Sequence, residues 1–182
     1  IMPVYDLGVA VNNWLPEDLG YKAWTTDPAT MSNAVLMVTA GALHLQRLKL
    51  RSPAPITNVH LFLSAGGTSL TVGQCFAGLY NGAGTLIGTT ADQSTAWLTA
   101  GVQNMALVGG PFTPPSGDIF VACYVNTAGA LPTFRTCGTP TSGVNVGTPA
   151  RFTTANTGLT TALPGTLGAQ TVTGQTYWAA VS

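Results

Sequence analysis

From residue 43 onward, apolar side chains fall at every second position in short runs, and each run is closed by Gly, Pro, Asn or Ser. Such alternation predicts β-strands, and the intervening turn residues predict their ends. The clearest run, Ile119, Val121, Cys123 and Val125, follows the turn signal Pro114-Pro115-Ser116-Gly117. In a second run Val59, Leu61 and Leu63 alternate against His60 and Phe62. The stretches VQNMALV, PTFRTC and ARFTTAN read as shorter strands, and GQTYWAAVS as a closing one. Many short strands without helical periodicity predict an all-β chain folded as an antiparallel β-sandwich. The expected organisation is an extended, Pro-punctuated segment over 1–32, anchored by Trp14, Tyr21 and Trp24, followed by one sandwich domain over 33–182.

Two stretches interrupt the simple pattern. Leu43 and Leu45 share one parity and Leu48 and Leu50 the other. A bulge near Gln46–Arg47 would return all four to one buried face, because one extra residue reverses the alternation. The stretch GLYNGAGTLIGTT, residues 78–90, has the glycine density of a phosphate-binding loop. A dinucleotide fingerprint built on Gly82 and Gly84 would need glycine at 87, where the chain has Ile87, and no Lys follows to make a P-loop. Strand-like runs on either side of Asn81-Gly82 predict a β-hairpin instead.

The best strands are apolar on both faces. Val121, Cys123 and Val125 form one row, and Phe120, Ala122 and Tyr124 the other; Phe76 and Tyr80 continue the second row on a neighbouring strand. A sheet with one solvated face carries polar residues there, so this second face calls for a cover. The candidates are the 1–32 segment, the C-terminal stretch, or another copy of the chain, with Phe76, Tyr80, Phe120 and Tyr124 at the centre of an interface. The expected core is Leu43, Leu45, Leu48, Leu50, Val59, Leu61, Leu63, Ile119, Val121 and Val125.

Charge narrows the partners. Only 7% of the 182 residues are charged, six acids against six bases, so no net field steers the chain to nucleic acid or an anionic membrane. No apolar run reaches the roughly 20 residues of a membrane span, and no membrane insertion is expected. Asp6, Glu17, Asp18 and Lys22 interrupt the start, so no signal peptide is read there. The opening Ile1 in place of Met fits a processed product or a piece of a longer chain.

Candidate chemistry is sparse. Cys75, Cys123 and Cys137 lack metal-site spacing and fit a reducing compartment. His44 and His60 would approach each other if 43–51 and 56–63 paired as a hairpin. Arg47 would then face His60, which disfavours a metal, and both histidines are expected on the sheet surface. Asp92 and Asp118 are the only acids beyond residue 27, and there is no G-x-S-x-G nucleophile turn. The expectation is a chain with no catalytic residue, cofactor or metal. If a ligand binds, Asn81 and Trp97 are the candidate contacts, each at or beside a turn.

Four blocks then stand out together: LGYKAWTTDPATM; LHLQRLKLRSPAPITNVHLFLSAGGTSLTVGQCFAGLYNGAGTLIGTTADQSTAW; PPSGDIFVACYVN; and RFTTANTGLTTALPGTLGAQTVTGQTYWAAVS. As a string, covering nearly all of the chain from about residue 14, they resemble the terminal domains of minor tail and tail-fibre-like, receptor-binding proteins of phages infecting actinobacteria. The resemblance implies a virion component, assembled in the host cytoplasm, with a jelly-roll-like β-sandwich at the tip of a tail appendage. It further implies a homotrimer contacting other virion proteins. Three roles follow: recognition of a host cell-surface glycan, a purely structural virion module (capsid decoration or baseplate), or a carbohydrate-binding module. The family brings no catalytic motif.

Overall fold

The computed structural model describes residues 14–31, 34–37, 39–137, 145 and 147–182; residues 1–13 of the expected lead-in lie outside the described residues. Twelve strands are described: β1 (Ala23–Trp24), β2 (Ala34–Leu36), β3 (Leu43–Leu50), β4 (Asn58–Ala65), β5 (Leu70–Asn81), β6 (Leu86–Thr89), β7 (Gly101–Ala106), β8 (Gly117–Thr127), β9 (Thr133–Arg135), β10 (Phe152–Ala155), β11 (Thr171–Val172) and β12 (Ala179–Val181). The helical elements are 3-10 turns at Pro16–Leu19, Pro28–Thr30 and Ala96–Leu98, and Asn145 is also in 3-10 conformation.

The strands form two antiparallel sheets of six, the expected β-sandwich. The first runs β1-β12-β4-β9-β2, with β7 paired to the other side of β4; the second runs β11-β10-β3-β8-β5-β6. The lead-in is no separate appendage, since β1 pairs with the closing strand β12, Ala23 opposite Val181. Of its expected anchors, Tyr21 packs edge-on against His60 and Trp178 and lies beside Trp24. Trp14 is 50% exposed.

The main core lies between the sheets. Leu48 and Leu50 from β3, Cys75, Ala77 and Leu79 from β5, and Ile119, Val121, Cys123 and Val125 from β8 meet Val59, Leu61 and Leu63 from β4 and Val181 from β12. All ten residues expected in the core are buried. Val121→Ala removes two methyl groups from the centre of this layer and is expected to cost about 1–3 kcal/mol, read as a lower midpoint in urea at unchanged slope.

The bulge expected at Gln46–Arg47 is absent. Register between β3 and β8 runs unbroken from His44–Cys123 to Leu50–Gly117. The change of parity reports a change of face. Leu43 and Leu45 point away from the main core into a second cluster with Tyr80, Phe120, Ala122, Tyr124, Ala155 and Leu163. That cluster is covered by the connection from β10 to β11, residues 156–170, which crosses the outer face of the second sheet as a strap.

The strap is held through its own backbone. The Tyr80 hydroxyl donates to the Pro164 carbonyl (2.8 Å) and the Tyr124 hydroxyl to that of Thr161. Asn126 Nδ2 donates to the Leu159 carbonyl at 2.6 Å. The amide of Leu167 donates to the Gly84 carbonyl, and that of Leu86 to the Gly165 carbonyl. Backbone carbonyls of the strap are thereby paired without a further strand.

Candidate functional site

The hairpin expected at GLYNGAGTLIGTT is present as β5–β6. Asn81 closes β5, and its Oδ1 accepts from the amides of Ala83 (3.0 Å) and Thr85 (2.9 Å). Gly84, at φ +83°, supplies the left-handed residue, a role that glycine fills without a Cβ penalty. Asn81 therefore shapes a turn. It also borders a cleft of about 290 Å³ with Pro114, Pro115, Ser116 and Asp118. Trp97, the other candidate contact, is no ligand platform. It is fully buried in the main core, edge-on to Phe134 at 6.1 Å between centroids.

The second apolar face has an intramolecular cover. Tyr80, Phe120 and Tyr124 are buried beneath the strap, and Phe76, half-buried, packs on Tyr124 at 5.9 Å. Of the three covers open to the sequence, the C-terminal stretch supplies this one, so Tyr80, Phe120 and Tyr124 are not an exposed surface for another copy, and Phe76 is only partly covered.

The histidines sit on different sheets, so the hairpin that would join them does not form. Arg47 faces Phe120 rather than His60. Neither histidine is on the surface. His44 points between the sheets against Tyr177 (5.4 Å), and neither ring nitrogen has a hydrogen-bond partner. His60 bonds the Ser182 hydroxyl at 2.8 Å and lies edge-on to Tyr21. Burial pulls both below the usual histidine range, His44 to about 4.

All three cysteines are free thiols, and burial pushes Cys123 up to about 12 and Cys137 up to about 11, which keeps them protonated and unreactive. Asp92 accepts from the Cys75 amide and the Ser94 hydroxyl, tying a loop to β5. Asp118 faces Arg47 (3.7 Å) and Lys49 (3.4 Å). Among the described residues, no three His, Cys, Asp or Glu side chains converge on a metal-sized site.

What the sequence reading missed is a surface cleft of about 480 Å³ lined by Asn145, Gly147, Thr148, Pro149, Ala150, Thr153, Gly168, Gln170 and Val172. Its floor is the β10–β11 pair, with Thr153 opposite Val172. Thr153 donates to Gln170 Oε1 at 2.9 Å, fixing the amide so that Nε2 remains as a donor. Asn145 is committed to structure: its Oδ1 accepts from the Phe152 amide, and its Nδ2 donates to the Thr173 carbonyl. Val172 is 58% exposed. The cleft thus offers apolar surface at Val172 and Pro149 beside uncharged donors and acceptors. The sequence signal was the Thr-rich composition of 148–171, but only folding brings β11 back beside β10. No protein-family model matches the chain, and no curated protein matches it.

Proposed function

We propose that the chain is a non-enzymatic recognition domain of a phage tail appendage, and that it binds a glycan on the host surface. The observation that carries this reading is the cleft on β10–β11. A sugar ring presents an apolar C–H face and a rim of hydroxyls. Val172 and Pro149 suit the face, while the Gln170 amide, the Thr148 hydroxyl and nearby backbone suit the rim. The cleft rests on paired strands, so its geometry is set before a ligand arrives. Modest affinity per site suffices when several copies on one particle engage together. The likeness of the four sequence blocks to actinobacteriophage tail proteins supplies the setting.

The isolated domain is expected to bind intact actinobacterial host cells and a subset of a glycan array. Val172→Asp and Gln170→Ala should each weaken binding by about fivefold or more without changing the circular dichroism spectrum. A domain that leaves host cells untouched, while the particle adsorbs through another protein, would instead be a structural virion module.

Residence in the virion, contacts with other virion proteins and assembly as a homotrimer belong to the same proposal. The trimer now rests on the resemblance alone, because the strap covers the rings that suggested it. Light scattering should give three times the 18.6 kDa chain mass; a persistent monomer removes the trimer.

A further inference from the structure

The few cations are unevenly placed. Of six basic residues, Arg135 lies over the ring of Phe62 (5.8 Å) and Arg151 over that of Phe152 (5.3 Å). Arg47, Lys49 and Arg51 instead fall at alternate positions along β3 and one residue past its end. Alternate strand residues share a face and are spaced about 6.8 Å apart. Arg47 and Lys49 therefore project from the outer side of the second sheet, and Arg51 follows them, exposed.

Arg47 is the informative member. Its side chain is only 23% exposed, and Gly147 packs so closely that a Cβ there would lie 3.3 Å from Nη2. Its guanidinium makes no hydrogen bond to any described residue. The Asp118 carboxylate at 3.7 Å is its charged neighbour, beyond hydrogen-bond length. The stem is thus fixed by packing while the planar fork keeps its donors, an arrangement suited to an oxyanion. Among the described residues, Asp118 is the single carboxylate paired with this row, and Lys49 shares it.

We infer that Arg47, Lys49 and Arg51 form an anion-binding row for an acidic glycan, a sugar polymer whose repeating units carry carboxylate or phosphodiester groups. The inference rests on the reading of the chain as a glycan binder and narrows its ligand. Row and cleft are adjacent through Gly147, which lines the cleft and touches Arg47, so one polymer strand spans both. A single-stranded nucleic acid fits less well. Its bases need exposed rings beside the cations, and Phe120, directly across from Arg47, is buried under the strap.

The test uses the full chain against four immobilised probes: polygalacturonate, poly(glycerol phosphate), a neutral glucan and oligothymidylate. The expected result is binding to at least one acidic glycan, weakened by about tenfold or more in Lys49→Glu/Arg51→Glu and by added salt. Which acidic probe binds identifies the oxyanion. Asp118→Asn, which removes the competing carboxylate, should tighten the same interaction, and an unchanged thermal midpoint in each variant excludes unfolding as the cause. Binding that ignores both the double reversal and Asp118→Asn overturns the inference, as does equal or tighter binding to oligothymidylate. Binding confined to neutral glycans overturns it while leaving the broader glycan reading intact; binding to no glycan, with host cells also untouched, removes both.

Discussion

Leu163→Ala is expected to lower the unfolding free energy by about 2–4 kcal/mol and to loosen the strap over Tyr80, Phe120 and Tyr124. Leu163 is only 6% exposed, and it sits where the sheet has no side chain to meet it. A Cβ built on Gly78 would fall 2.3 Å from Leu163 Cδ1 and 2.9 Å from the Gly88 carbonyl oxygen. Glycine at 78 is therefore a seat for the strap, and Gly78→Ala should cost about 1–3 kcal/mol by overpacking. The two changes should couple, because shortening Leu163 clears part of the space the new methyl needs. The double variant is then expected to be more stable than the sum of the single losses implies, by about 0.5 kcal/mol or more. Urea unfolding of the four proteins measures this, and an environment-sensitive dye should report newly exposed rings in Leu163→Ala. A loss below about 0.5 kcal/mol, the range of an ordinary surface change, would mean that the strap contributes little to holding the fold.

The second large effect is a loss of stability in mild acid, centred on His44. The side chain is buried between the sheets among Cys123 of β8, Thr154 of β10 and Tyr177. None of these is a carboxylate that would hold a proton on the ring, and Cys123 is itself kept neutral by burial. Burial alone lowers His44 from 6.5 to about 4. Between those values the unfolded chain takes up a proton that the folded chain refuses. The stability is therefore complete above pH 6.5 and drains away as pH falls toward 4, by about 3 kcal/mol at 1.36 kcal/mol per pH unit. His60, shifted in the same direction by the same cause, adds to the slope. Denaturant midpoints measured between pH 7.5 and 4 should fall for the natural chain and fall much less for His44→Leu, which has nothing to protonate at that position. A natural chain as stable at pH 4.5 as at pH 7.5 would contradict the assignment.

Strand positions were legible in the sequence wherever one face met the core and turn chemistry marked the ends. The alternation at 59–63 and 119–125 gives β4 and β8, and Asn81-Gly82 gives the β5–β6 hairpin. Sheet membership was not legible. β3 and β4 follow one another in the chain, separated by Pro53 and Pro55, yet belong to opposite sheets. A local reading pairs them, whereas the long-range partners of β3 are β8 and β10. The same limit explains Leu43 and Leu45. Alternation identifies a second apolar face, but the segment that covers it lies more than 100 residues later. Trp97 was ambiguous for a different reason: a short 3-10 turn can deliver a large ring inward or outward, and only contact with Phe134 decides. The β10–β11 cleft combines both difficulties, since its lining comes from two short strands with the strap between them.

The pairing of β1 with β12 brings the start of the described fold beside its end. Ala23 and Val181 are direct neighbours, and the Lys22 amide donates to the Val181 carbonyl at 2.7 Å. The entry to β1 and the exit from β12 therefore lie at the same margin of the first sheet. A tether placed there would pull on the β1–β12 ladder and on the bonds of Ser182 to Thr57 and Asn58. On the proposed reading as a glycan binder, the strap, cationic row and cleft, all carried by the second sheet, would meet the ligand while a tether at that margin bears the load.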